Sequence, residues 1–367
     1  MIDARRIART RTSAELQVCR PCARQKGGGV VNIVWLRKSA TVAVLTAVGV
    51  LVAACGGGST SGGGNAPIRV AFFAPIANTY VAATLKGLNE VQASGGTKIT
   101  QFDTGFDASK EFSQVQDATT SGKFDAFVII PLDSVGLVPA AQAAITKGVK
   151  VVNTDLVLGP ATDTSQPQVK GQLASIVNPP SSRAKKFLDG IVSACQDLNP
   201  CNAAVIAGAP SIDFEQLIKK GFDALPASHP NIKVKSYQSG HGYLAAPAIP
   251  IAQNILQANP DLNVIAVTSD QATLGAEQAV TSAGRTGKIR LVSSGGSCPA
   301  VDAVKAGRFW MTIADLPETE GKLAMQAIVD SMRNGKNGPI GKNPVDTISN
   351  TIITKDKVGS FRCEWEG

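Results

Sequence analysis

The residues able to do chemistry are few. The chain has two histidines, His229 and His241, and seven cysteines among 367 residues. A hydrolytic triad would need one of those histidines as base; His229 precedes Pro230 in an apparent loop, and His241 stands two residues before Tyr243. No G-x-S-x-G elbow, P-loop, strand-borne G-x-G-x-x-G or zinc-protease motif occurs. The stretch Ser293 to Ser297 is glycine-rich but lacks the Lys-Ser/Thr ending that a phosphate cradle requires. Binding without catalysis, and without a cofactor, is the expectation.

The cysteines divide into groups. Cys19 and Cys22 form one CxxC with no second ligand pair, a weak metal or redox signal. Cys195 and Cys201 stand close together at a helix-to-strand junction, and Cys298 and Cys363 remain. Four cysteines allow three pairings. In an oxidising compartment the expected set is Cys195 with Cys201 and Cys298 with Cys363. The spacing lacks the paired CxxC motif of a structural zinc site, so no metal is expected.

A regular scaffold must hold these groups. From Pro67 onward, short apolar β-branched runs such as 68–73, 126–130, 203–206 and 264–267 alternate with amphipathic stretches such as 81–93, 110–120, 181–194 and 274–282. Continuous apolar runs suit strands buried on both faces, and parallel neighbours need crossover helices. The fold class is therefore α/β with parallel sheets, and the length favours two lobes. Ligands of such folds bind beyond the carboxyl ends of the strands. The loops found there are rich in Asn, Asp, Ser, Gly and Tyr, with few Lys or Arg. Asp133 and Asp270 each follow a strand, where an aspartate either meets a ligand or caps the next helix.

The net charge of +8 is local. Residues 1–54 hold nine basic and two acidic side chains; the remainder has 27 and 26. A basic face for nucleic acid is not supported. Arg37 and Lys38 precede the uncharged run from Ser39 to Ala54, too short for a comfortable bilayer span of roughly 20 residues. The run ends in Val52-Ala53-Ala54-Cys55, which resembles the lipobox of bacterial lipoproteins, in which the cysteine is acylated. A Gly/Ser tether follows to residue 66. Residues 1–54 thus read as leader and signal peptide, with translation starting near Val30 or Val31, and Cys55 as a lipid anchor on the extracytoplasmic face of the cell membrane.

Several segments together resemble the ribose-type, or type I, periplasmic sugar-binding proteins: 68–73 with Asn78 to Tyr80, 106–117, 128–134, 147–155, 258–265, 269–275 and 311–317. The resemblance implies two Rossmann-like lobes, 67–177 plus 316–344 and 178–315 plus 345–367. Three crossings near Val177, Ala314 and Pro344 would form the hinge, and one ligand would be enclosed between the lobes. It also implies an ABC permease as partner and a monomer. Ligand contacts carried over position by position fall on Asn78, Tyr80, Asp155, Gln216, Tyr243, Ser269 and Asp315, with the two tyrosines as aromatic walls.

Four positions depart from ribose binders. Leu156 and Gln216 stand where that group has arginines, Gly295 where it has an aspartate, and Asp315 where it has a glutamine. Without those guanidinium forks no cationic clamp is expected in the cleft, which favours a small neutral or weakly cationic ligand (a sugar, polyol or amino sugar) other than ribose. A helix-turn-helix, as in repressors sharing the fold, has no place where the lipobox and tether stand.

Overall fold

A computed structural model describes residues 66–91, 93–240 and 242–367. The expected leader and signal peptide, Cys19, Cys22, Cys55, almost all of the expected tether and His241 lie outside the described residues.

Two six-stranded sheets are built from twelve strands. The first has the order β11-β5-β4-β3-β1-β2, from β1 (Ile68–Ala74), β2 (Thr97–Asp103), β3 (Ala126–Ile129), β4 (Lys150–Thr154), β5 (Ala174–Ile176) and β11 (Ile340–Lys342), all parallel. The second has the order β12-β10-β9-β8-β6-β7, from β6 (Cys201–Ala207), β7 (Ile232–Ser239), β8 (Val264–Val267), β9 (Arg290–Gly295), β10 (Met311–Ala314) and β12 (Ile352–Thr354). Only β12 runs antiparallel, against β10. Two α/β lobes result, as the strand-helix alternation predicts.

Side-chain alternation along buried strands explains why each sheet carries helices on both faces. In the first sheet Val70, Phe72, Val128 and Val152 enter one apolar cluster, while Ala71, Phe73, Phe127, Ile129 and Val151 enter another. Edge strand β2 has a single half-buried face, so Lys98, Thr100 and Gln101 reach solvent. The nine helices among the described residues are α1 (Thr79–Glu90), α2 (Ala108–Ser121), α3 (Val138–Thr146), α4 (Pro180–Cys195), α5 (Asp213–Ser228), α6 (Ala245–Ala258), α7 (Asp270–Ser282), α8 (Cys298–Lys305) and α9 (Pro317–Asn334).

The chain passes between the sheets three times, from β5 to α4, from β10 to α9 and from β11 to β12. Helix α9 follows the second sheet but packs on α1. A Cβ at Gly87 would collide with the Glu318 carbonyl and one at Gly321 with the Thr84 carbonyl, so glycine is what lets the two backbones touch.

Both expected disulfides form. Cys195–Cys201 joins the end of α4 to the start of β6, with Cα atoms 5.5 Å apart. Cys298–Cys363 ties the C-terminal tail to the start of α8, with Cα atoms 5.1 Å apart. No helix of the described residues is long and apolar enough to cross a membrane.

Candidate functional site

The carboxyl ends of the two sheets face one cavity of about 630 Å³, open space at its mouth included. The first lobe contributes Asn78 and Tyr80 after β1, Phe106 after β2, Ile130 after β3, and Asp155 with Leu156 after β4. The second contributes Arg183 from α4, Phe214 after β6, Tyr243 after β7, Ser269 and Gln271 after β8, and Ser294 with Gly295 at the end of β9. Asp315 lines it from a crossing segment, and Trp365 from the C-terminal tail.

Its polar centre is a three-residue ion cluster. Arg183, in the first turn of α4, donates from Nη1 to Asp155 Oδ1 at 3.1 Å and from Nη2 to Asp315 Oδ2 at 2.7 Å. The guanidinium also lies 4.2 Å above the Phe214 ring centroid. Burial disfavours its charge, but Asp315 and Asp155 outweigh that and hold Arg183 ionised. Asp155 belongs to the first lobe and Arg183 to the second, so this bridge spans the cleft. A second link across it runs from Gln271 Nε2 to Thr79 Oγ1, 2.7 Å.

Burial pushes the Asp315 carboxyl up to about 6, with Arg183 opposing and Asp155 assisting. Glu320, on α9, is raised well above the usual carboxylate range by burial and then by Asp155 and Asp315; its carboxyl accepts from Tyr80 Oη at 3.3 Å. Burial likewise raises Tyr80 and Tyr243, which stay neutral phenols. The Arg183 Nε and Ser294 Oγ are buried without a protein partner. Unpaired buried polar atoms are costly, so both are suited to meet oxygens of an enclosed ligand.

The aromatic side chains form two groups. Tyr80 stands edge-on to Trp365 with centroids 5.4 Å apart, while Tyr243 has Phe106 at 5.7 Å and Phe214 at 6.4 Å. Tyr243 reaches this place from a backbone at φ 62°, and Gly208 leaves the room its ring fills. Asp155 is likewise left-handed, at φ 61°, which turns its side chain off the end of β4.

Asn78, Tyr80, Asp155, Tyr243, Ser269 and Asp315 therefore converge on the cavity. Asn78 and Ser269 also cap α1 and α7, accepting from Val81 N and Ala272 N. Three other expected contacts do not line it. Asp133 is exposed and caps its own loop, accepting from Gly136 N at 2.7 Å. Gln216 is exposed and donates to Ser211 O, because α5 turns Phe214, Glu215 and Ile218 inward and Gln216 out. Asp270 is fully buried, accepting from Ser293 Oγ, Thr312 Oγ1 and Ser297 N, and so ties β9, β10 and α8 together behind the site.

The expectation of a cleft without a cationic clamp is corrected by Arg183. It enters from a helix rather than from a strand-end loop, so a survey of those loops passes it by. Trp365, in the tail beyond the last strand, also lies outside the expected set of contacts. The apolar spacing of Phe214, Ile218 and Phe222 was the signal that would have turned Gln216 outward.

A sequence profile described as periplasmic binding protein domain matches residues 70–337. The ribose import binding protein of Bacillus subtilis is 26% identical over 259 residues, covering 71% of this chain and 79% of that protein. The xylitol-binding protein of Mycolicibacterium smegmatis is 24% identical over 329 residues, covering 88% and 86%. Among solved structures, a solute-binding protein of Actinobacillus succinogenes with bound D-allose has a TM-score of 0.65 at 20% identity, covering 80% of this chain and 100% of that one. With the matched profile spanning most of the chain and both sheets opening onto one cavity, the chain belongs to the periplasmic binding protein family of type I, extracytoplasmic solute-binding proteins of ABC transporters.

Proposed function

We propose that this chain captures a small neutral sugar or polyol between its lobes and delivers it to an ABC permease, acting as a monomer and without chemistry of its own. The observation that carries this reading is the Asp155–Arg183–Asp315 cluster, flanked by aromatic rings, where the two lobes meet. Hydroxyls pair with the cluster and Ser269, and C–H faces lie against Tyr80 and Tyr243. The moving bodies are 67–177 with 316–344 and 178–315 with 345–367. Closure is favoured because only the closed form lets a ligand touch both. Names of relatives that specify ribose and xylitol support the ligand class.

Calorimetry against D-ribose, D-allose, D-xylose, D-glucose and xylitol tests the reading. Tyr80→Ala and Asp155→Ala should each weaken the best ligand at least about tenfold, one lost charged hydrogen bond or ring contact being worth that much. Unchanged affinity in both variants would remove the site assignment. A ligand at 100 times its dissociation constant should also add about 2.7 kcal/mol to the stability of the wild-type chain.

Membrane attachment is the other half of the proposal. The apolar run before Cys55 and the Gly/Ser stretch after it support a lipid anchor at that cysteine. Cys55→Ser should shift the protein from the membrane fraction to the soluble one. Retention in the membrane fraction would count against acylation there.

A further inference from the structure

The C-terminal tail brings an indole into the ligand cavity and fixes it there. Trp365 is 5% exposed and lines the cavity. Two residues before it, Cys363 is bonded to Cys298, and the Cys298 N–H donates to the Trp365 carbonyl at 2.8 Å. The ring is held separately, because its Nε1 donates to the Gly295 carbonyl at 2.8 Å. Between them, the Glu364 carboxylate accepts from Thr319 N at 2.9 Å and from Thr319 Oγ1, on the helix that packs with the first lobe.

Gly295 is shaped to receive this ring. Its φ is +145°, and a Cβ there would lie 2.7 Å from Trp365 Cζ2 and 2.8 Å from Asp270 Oδ2. Gly295 itself therefore presents no side chain to the cavity, and the indole takes that space. Because Nε1 is engaged, the wall offers ligand only ring carbon.

We propose that Trp365, held by the Cys298–Cys363 disulfide, sets the size of ligand the cleft admits, favouring a five-carbon sugar over its six-carbon homologue. This rests on the sugar or polyol reading above. A hydroxymethyl group pressed on this wall would bury a hydroxyl against carbon, and a ring pinned through Cys298, Gly295 and the neighbouring Glu364 does not yield to make room.

The test uses pairs that differ by one hydroxymethyl group, D-ribose with D-allose and D-xylose with D-glucose, titrated into the full chain. The wild type should favour the smaller member of the bound pair by at least about tenfold, the discrimination available to a rigid pocket wall. Trp365→Ala should bring that ratio close to one. The proposal is overturned if the wild type shows no size preference, or if Trp365→Ala weakens both members equally, as a purely structural role would.

A second measurement needs no ligand and no truncated indole. In the full chain carrying Trp35→Phe and Trp310→Phe, Trp365 is the sole tryptophan. Its fluorescence should resist acrylamide, and adding Cys298→Ser with Cys363→Ser should raise quenching severalfold. High quenching before that change, or none after it, overturns the fixed wall. A wild-type chain that binds no member of either pair sinks the sugar reading instead, and quenching then decides the wall by itself.

Discussion

Arg183→Met should lower the unfolding free energy by about 3 kcal/mol, the scale on which one partner of a buried pair is missed. The methionine keeps much of the side chain's length and packing on Phe214 but removes the charge facing Asp155 and Asp315. Asp315, 2% exposed, would then be held buried with no counterion. Its carboxyl would rise further above about 6 and take up a proton near neutrality, which limits the loss. Adding Asp315→Asn should recover part of the stability, because a neutral amide tolerates the site better than an unpaired carboxylate. Ligand affinity should not recover in the double variant. It should fall about 10- to 100-fold in both, since charged hydrogen bonds across the cleft are lost. Urea unfolding and calorimetry on the three chains check this; a single variant that melts with the wild type would show the cluster to be energetically idle.

Stability should fall, not rise, between pH 5 and pH 8.5. Glu320, Asp270 and three further buried carboxyls bind their protons more tightly in the folded chain than in the unfolded one, and the three have folded values between pH 5 and pH 8.5. Glu111 is pushed up to about 8 by burial, with the Leu132 N–H opposing and Asp133 assisting. Glu215 is pushed up to about 7 by burial, although Thr268 and the Gly208 N–H hydrogen-bond to it. Asp315 is raised to about 6. A raised carboxyl contributes stability that is complete below its unfolded value near 4 and is lost as pH climbs through its folded value. The three losses begin together above about pH 4 and end in turn near 6, 7 and 8, together on the order of several kcal/mol. Carboxyls held low, such as Asp125 and Asp197, act only below about pH 4 and leave this window alone. Glu111→Gln keeps an acceptor for Leu132 N without a charge, so it should match the wild type at pH 5 and exceed it at pH 8.5. A melting temperature that is level across the window, or identical in the two chains, would contradict the assignment.

What could be read from the sequence was whatever depends on neighbours along the chain. Strands β1, β3, β6 and β8 are buried on both faces, so each is an apolar run that declares itself, broken only by Arg69 in β1 and Asn202 in β6. Strands β5, β11 and β12 have three residues each, containing Ser, Gly, Lys or Thr, too short and mixed to show a period. The site divides the same way. Asn78, Tyr80, Asp155 and Ser269 follow strands directly, where the α/β rule points. Arg183 stands beside the exposed Lys185 in a helix that begins with Pro180, and the only local mark that turns it inward is its place one and two turns before the buried Phe187 and Ile191. Its partners lie 28 and 132 residues away. Asp270 reads as a cleft residue in sequence because its partners, Ser293, Ser297 and Thr312, come from three other elements. Trp365 reaches the cavity through a disulfide that closes a loop of 65 residues, a placement no periodicity encodes.

The threefold passage between sheets bears on how such a chain is made. Neither lobe is a contiguous stretch, since β11 arrives at the first sheet only after the second has nearly been laid down, and β12 completes the second only after that. A polypeptide threaded across a membrane from its N-terminus therefore cannot finish either half early, and remains open to the translocation machinery until almost all of it has emerged. The same wiring makes a premature stop codon ahead of β11 a lesion in both halves at once.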